Sequence, residues 1–190
     1  MPAVIDTLRR EHANMAKLLR ILERHLDTFD ASGSPDYDVV AGIVDYLHDW
    51  SGQWHHPKED LVLAKLRLRD PAAADRVGDL ERDHQALAEQ TVRFREAIAE
   101  IVGGEELPRD QVSQMAHGFL NAERRHMAGE EKVFLPAAER ALTAEDWAEI
   151  AMRVGDPKDP LFGHNVEKRF EALRRDLVEL DRAEQEAAGA

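Results

Sequence analysis

Apolar residues return at helical spacing along almost the whole chain, and few segments alternate as a half-buried strand would, which predicts an all-α protein. The first helix runs from about Val4 to Phe29, with Leu8, Met15, Leu18, Leu19, Leu22 and Leu26 on one stripe. The DASGSPD stretch after it holds the small breakers of a turn. A second helix spans about Tyr37 to Leu68 and a third about Ala72 to Ile101, where the paired glycines of VGGEELP end it. A fourth covers about Arg109 to Ala141. Connections this short between long helices favour antiparallel neighbours, so the predicted architecture is an up-down-up-down four-helix bundle over residues 1–142. Residues 143–190 read as a helical extension packed on the same domain. Thr143 and Asp146 suit a capping box that opens a short helix through Met152, and GDPKDPLFG then interrupts. A last helix starts at about His164. Its stripe of Val166, Phe170, Leu173, Leu177 and Leu180 packs on the outside of the bundle, and its alanine- and glutamate-rich end frays.

Charge and composition narrow the functions. With 38 acidic against 25 basic residues the net charge is −13, which repels nucleic-acid phosphates and anionic lipid. Cysteine is absent, so disulfides, thiolate metal sites and cysteine nucleophiles are excluded, and any chemistry falls to oxygen and nitrogen groups. MPAVIDTLRREH has neither a basic nor an apolar leader region, and no run approaches the roughly 20 apolar residues of a membrane span. The expected location is the cytoplasm.

An internal repeat carries the chemical signal. RREHANMAKLL and ERDHQALAEQT share a histidine after an acid, and HHPKEDLVL and HMAGEEKVF share His-x-x-x-Glu followed by an acid and a valine. The separation of His12 from His55 nearly equals that of His84 from His126, and each pair straddles a turn symmetrically, so a uniform rise brings the members of each to one height. Between the halves, His55 lies about 15 residues above the turn at Asp70-Pro71 and His84 about 13 below it, a mismatch of about 3 Å. Four histidines, one per helix, therefore share a layer. His55 with Glu59, and His126 with Glu130, stand four apart and project from one helix face. Two such pairs suit two metal ions with carboxylates able to bridge them, and sulfur-free imidazole and carboxylate donors suit iron first, with manganese or zinc as alternatives.

Pro57 removes a helix hydrogen bond and clashes with the preceding turn, an effect of roughly 3 kcal/mol or more in a helix interior. Gly52 weakens the same stretch. A bend between Gly52 and Lys58 would swing His56 towards the metals. In the other reading Pro57 merely opens a new helix at its first turn and His56 faces solvent.

At these residues the chain resembles the hemerythrin family in its HHE cation-binding form, whose signature of histidine, HxxxE, histidine, HxxxE is met by His12, His55 with Glu59, His84, and His126 with Glu130. The resemblance covers roughly the first three quarters of the chain. It implies a four-helix fold and a non-heme di-iron centre with bridging carboxylates and an open position for oxygen or a related small molecule. The oxygen carriers use five histidines, two of them one turn apart on the third helix, and Leu80 stands where the extra one would be; His56 restores the count from another helix. The second carboxylate is Glu130 by symmetry with Glu59, while the oxygen carriers' spacing points to Glu131.

Other patterns compete. Glu81-x-x-His84 and Glu123-x-x-His126 fit the Glu-x-x-His motif of ferritin-like carboxylate proteins, with Glu11 as the lone glutamate of the first helix. His25, His48, His117 and His164 read as packed or solvated residues, with His48 also placed to support the centre, and Trp50, Trp54 and Trp147 as packing. Tyr46 is a weak candidate to reach the centre. The leading expectation is a di-iron protein that binds oxygen, nitric oxide or peroxide, or senses iron and oxygen. Its alternatives are a peroxide-decomposing or oxidase enzyme at the same centre and a metal-free helical interaction module. A homodimer through the extra helices is a further expectation.

Overall fold

A computed structural model describes residues 3–155 and 157–188; Asp156 in the GDPKDPLFG interruption and the last residues of the expected frayed end, 189–190, lie outside them. The described residues are helical and include no strand. Helix α1 (Ala3–Asp30) is followed by α2 (Tyr37–Tyr46), whose N-terminus is capped by Asp36 accepting from the backbone of Asp38 and Val39. The expected second helix continues, but as three pieces: α2, a π turn over Leu47–His55, and α3 (His56–Arg69). In the π turn the N–H of His56 reaches back five residues to the Ser51 carbonyl. Pro57, lacking an N–H and bulky towards the carbonyl four residues before it, sits in the first turn of α3, where neither property disrupts a bond. The fourth stretch repeats the device. It consists of α6 (Arg109–Gly129), a π turn over Glu130–Phe134 and α7 (Leu135–Ala141), with Pro136 in the first turn of α7.

The third stretch is also broken, into α4 (Pro71–Val77) and α5 (Leu80–Val102). Gly78 takes φ +87°, open only to residues without a Cβ at little strain, and the Asp79 side chain accepts from the Arg82 N–H to restart the helix. Beyond the fourth stretch, the Thr143–Asp146 capping box opens α8 (Ala144–Val154). The final helix begins later than expected, because a 3₁₀ turn over Lys168–Phe170 precedes α9 (Glu171–Ala188).

Packing gives two apolar clusters. Val4, Ile5, Leu8, Val62, Leu63, Leu66, Leu80, Phe134 and Leu135 belong to one. Met15, Leu18, Leu22, Val40, Ile43, Phe94, Ile98, Phe119 and Leu120 belong to the other. Each long stretch passes from one cluster to the other, in alternating sense along the chain, and between them each contributes buried polar residues: Glu11 and His12, then Ser51, His55, Lys58 and Glu59, then His84, then Glu123 and Glu130. A polar layer thus lies between two apolar ends. The extension joins both clusters, through Trp147 and Ile150 at one end and Phe170, Leu173, Leu177 and Leu180 at the other. No helix among the described residues is long and apolar enough to cross a membrane.

Candidate metal centre

The polar layer brings all seven sequence-nominated residues together. His12, His55, Glu59 and Glu130 form one group and His56, Glu59, His84 and His126 another; within each group one nitrogen or oxygen from every residue lies within 4.8 Å of the others. Glu59 is common to both. Its Oε1 faces His12 Nε2 at 3.5 Å and His55 Nε2 at 3.4 Å, and its Oε2 faces His84 Nε2 at 3.5 Å. Glu130 is divided in the same way: Oε2 stands 3.3 Å from His12 Nε2, while Oε1 stands 3.0 Å from His126 Nε2 and 3.5 Å from His84 Nε2. His56 enters through the π turn that precedes it, its ring stacked on His84 with centroids 4.1 Å apart. The two expectations for this stretch therefore come apart: Pro57 does open a helix, yet His56 points into the layer.

Most of these contacts are too long or too poorly aimed for hydrogen bonds. Both oxygens of Glu59, Oε2 of Glu130 and Nε2 of His126 are buried without a hydrogen-bond partner. His12 Nε2 and His55 Nε2 point at each other from 3.0 Å. Donor atoms about 2.0–2.2 Å from a shared ion at tetrahedral or octahedral angles are themselves about 2.8–3.6 Å apart. The residues fit a cation on each side of the two carboxylates, and no other described feature satisfies those orphaned atoms.

Outer partners orient the rings. His12 Nδ1 donates to Glu131 at 2.8 Å, His55 Nδ1 to Glu11 at 2.8 Å and His84 Nδ1 to Asp60 at 3.1 Å, which turns each Nε2 inward. Lys58 forms a close ion pair with the second oxygen of Glu11. The charges within the layer oppose its burial. Burial would lower His12, but Glu130 and Glu59 overcome it and raise the imidazole to about 10. His84, likewise opposed by burial, is raised to about 11 by Asp60, Glu130 and Glu59. Burial and the charge of Glu59 push Glu130 up, yet His12, His126 and His84 bring it down to about 2. His56 is held low by burial and by the neighbouring imidazoles.

The remaining nominees fall elsewhere. Glu81 pairs with Arg67 at the surface and Glu11 supports His55 from outside, so the Glu-x-x-His pattern is not assembled. Glu123 is buried beside the layer; burial first, then Glu130 against the opposing His126, raises it to about 7. His25, His48 and His117 bond Asp176, Asp49 and Asp30 instead, and His164 is exposed. Trp50 and Trp147 pack as expected, but Trp54 is 43% exposed. Sequence reasoning gave Asp60 and Lys58 no role, although the repeat marked Asp60 as the acid after Glu59 and Glu11 as the acid before His12.

The family model described as the Hemerythrin HHE cation binding domain matches residues 3–138. Among curated proteins and among solved structures, none matches the chain significantly.

Proposed function

Because this chain belongs to the hemerythrin HHE cation-binding family, we propose that it holds a non-heme di-iron centre and binds oxygen or a related small molecule, nitric oxide or peroxide, or senses iron and oxygen through that centre. The observation that carries the reading is the division of labour in two buried carboxylates, each offering one oxygen to each imidazole group while keeping oxygens without a hydrogen bond. In this reading His12 and His55 hold one ion, His56, His84 and His126 the other, and Glu59 and Glu130 bridge. The alternating passage of the four long stretches between the apolar clusters supports an antiparallel up-down-up-down bundle around them. Imidazole with carboxylate suits iron, and manganese or zinc are the competing occupants.

When bound, an iron pair supplies one-electron redox chemistry and an open coordination position. The chain's own residues do the rest. Glu11, Asp60 and Glu131 hold the ring orientations, and the apolar clusters on either side keep bulk water from the layer. The His12 and His55 group offers one imidazole fewer than its neighbour, so an ion held there would be the one to take a small ligand. An imidazole-rich centre is less anionic than a four-carboxylate one, which favours binding over high-valent oxidation. A second reading, an enzyme that decomposes peroxide or acts as an oxidase, is favoured by Glu123, a buried acid one helical turn from His126 whose carboxyl burial pushes up to about 7.

Metal content per chain, taken with the optical spectrum before and after exposure to air, tests the proposal. Two iron ions per chain and near-ultraviolet charge-transfer bands are expected. Protein prepared with iron in excess that shows neither sinks it. Turnover of hydrogen peroxide that is abolished by His126→Ala with the fold intact would move the conclusion to the enzyme.

A further inference from the structure

Tyr46, Trp50 and His55 lie on one continuous helical stretch that leads into the layer. On an α-helix, residues five apart point in different directions; the i→i+5 bonding of the Leu47–His55 turn widens the helix and brings Trp50 and His55 towards the same side. The Tyr46 and Trp50 rings are stacked, with centroids 6.2 Å apart and planes 18° from parallel. Lys58 Nζ stands 5.8 Å from the Trp50 ring centre and pairs with Glu11, whose other oxygen accepts from His55 Nδ1 at 2.8 Å. At the far end, the Tyr46 hydroxyl donates to Asp159 Oδ2 at 3.0 Å. Asp159 lines a surface cavity of about 690 Å³ between α1 and the extension. The chain of contacts thus runs unbroken from His55 to solvent.

We propose that Trp50 and Tyr46 form a one-electron relay that draws oxidising equivalents away from the centre at His55 and holds them on Tyr46 as a phenoxyl radical. The inference rests on the di-iron reading. The two rings differ in what surrounds them, and the difference sets their roles. Trp50 Nε1 is buried without a hydrogen-bond partner, so an oxidised indole has no acceptor for its proton, and the Lys58 ammonium opposes the positive charge left on the ring. Trp50 is therefore a stepping stone. Tyr46 has a carboxylate in place to take its proton. Burial, and then Asp159, push the phenol up from its ordinary value, so the proton leaves only when the electron does. Phe162 and Phe170, edge-on at 5.7 and 6.1 Å, shield the ring.

The oxidant is hydrogen peroxide reduced at the centre. For each peroxide reduced to two waters at one chain's centre, Tyr46 gives up one electron through Trp50 and one proton from its broken O–H bond, which moves to Asp159 Oδ2 and out to water; a ferrous ion held there would supply the second electron and become ferric, and solvent the second proton. The chain is left with a neutral radical, and atoms and charge balance.

The test uses the full iron-loaded chain, mixed with hydrogen peroxide, frozen, and read by electron paramagnetic resonance, with iron content measured on every sample. An organic-radical signal is expected that is absent from the iron-free chain. Ring-deuterated tyrosine should narrow its hyperfine structure, which assigns the radical to a tyrosine without any mutation. The signal should fall at least ten-fold in Tyr46→Phe and persist in Tyr37→Phe, the control at the chain's other tyrosine. Trp50→Phe should slow its appearance, and Asp159→Asn should shorten its life. If Tyr46 merely anchors the extension to α2, these variants shift the melting temperature and leave any radical unchanged. An iron-loaded chain that shows no tyrosine radical after peroxide, or the same one in Tyr46→Phe, overturns the relay alone. A chain that takes up no iron overturns both the relay and the reading beneath it.

Discussion

The apolar clusters and the polar layer between them are both buried, yet their contributions to stability have opposite signs. Leu22 or Leu63 gains free energy from leaving water whatever its neighbours carry, roughly 1.5–3 kcal/mol for a side chain of that size. Glu59, equally buried, loses several kcal/mol of hydration and recovers it only from opposite charge placed close by. The clusters hold the chain together with or without a cation. The layer is tolerable because they do, and it becomes stabilising when positive charge enters it. Fold and function are thus separated by depth along the same helices.

The sharpest way to break this comparison is Leu22→Ala. Deleting a buried leucine leaves a cavity and is expected to lower stability by about 2–5 kcal/mol. The loss should be equal in metal-free and iron-loaded protein, and iron per chain should not change. Urea unfolding of both forms, with elemental analysis of each, gives the answer. A variant that loses its iron would show that the cluster and the layer do not act independently.

Loading the centre comes next in size. Ligands scattered along the unfolded chain are gathered only in the native state, so free metal at about 100 times its dissociation constant stabilises the fold by about 2.7 kcal/mol. Chelation should therefore lower Tm. Glu59→Gln removes the negative charge and one of the two oxygens shared between the groups, so a bridging carboxylate is lost, and it should abolish the difference between chelated and loaded samples. An unchanged Tm on chelation of the unaltered chain would mean that the layer is neutral to the cation, and the comparison would fail.

How much of this could be read in advance follows from what each signal depends on. The long helices and the shared layer come from periodicity and rise, which are properties of the local backbone, and His12, His55, His84 and His126 converge as the spacing predicts. The break at Gly78 was hidden because one glycine within a helical pattern is usually tolerated; only the cap at Asp79 marks it. His56 was undecidable because a π turn adds about one residue to a helical turn and so changes the face that every later side chain presents. The same device before Pro136 went unseen, although the two halves repeat it. The choice between Glu130 and Glu131 lay beyond periodicity, since neighbours on a helix differ by about 100° and the chain's rotation about its axis sets which faces inward. Glu130 lies in the layer and Glu131 bonds the outer nitrogen of His12. The roles of Asp60 and Glu11 depend on rings contributed by other helices, which no local pattern specifies.

The smallest effect sharpens the comparison at the boundary of the layer. Glu11 and Glu131 do the same work, each accepting from the Nδ1 of an imidazole at 2.8 Å, but Glu131 is 36% exposed by its side chain while Glu11 is buried and also balances Lys58. Loss of an outer partner typically weakens metal binding by about 10–100-fold. Water screens the charge of Glu131, and the glutamine oxygen in Glu131→Gln can still accept from His12. This variant should therefore fall at the lower limit, about ten-fold or about 1.4 kcal/mol. Glu11→Gln leaves the Lys58 ammonium buried without its counter-charge, so its loss should exceed that of Glu131→Gln and should extend to the stability of the metal-free chain. Competition titrations with a chelator give the affinities, and thermal melts of the metal-free variants give the second quantity. Equal effects from the two substitutions would mean that burial does not set the strength of the outer shell. A larger effect from Glu131 would place it among the groups that hold the cation, in the position assigned to Glu130.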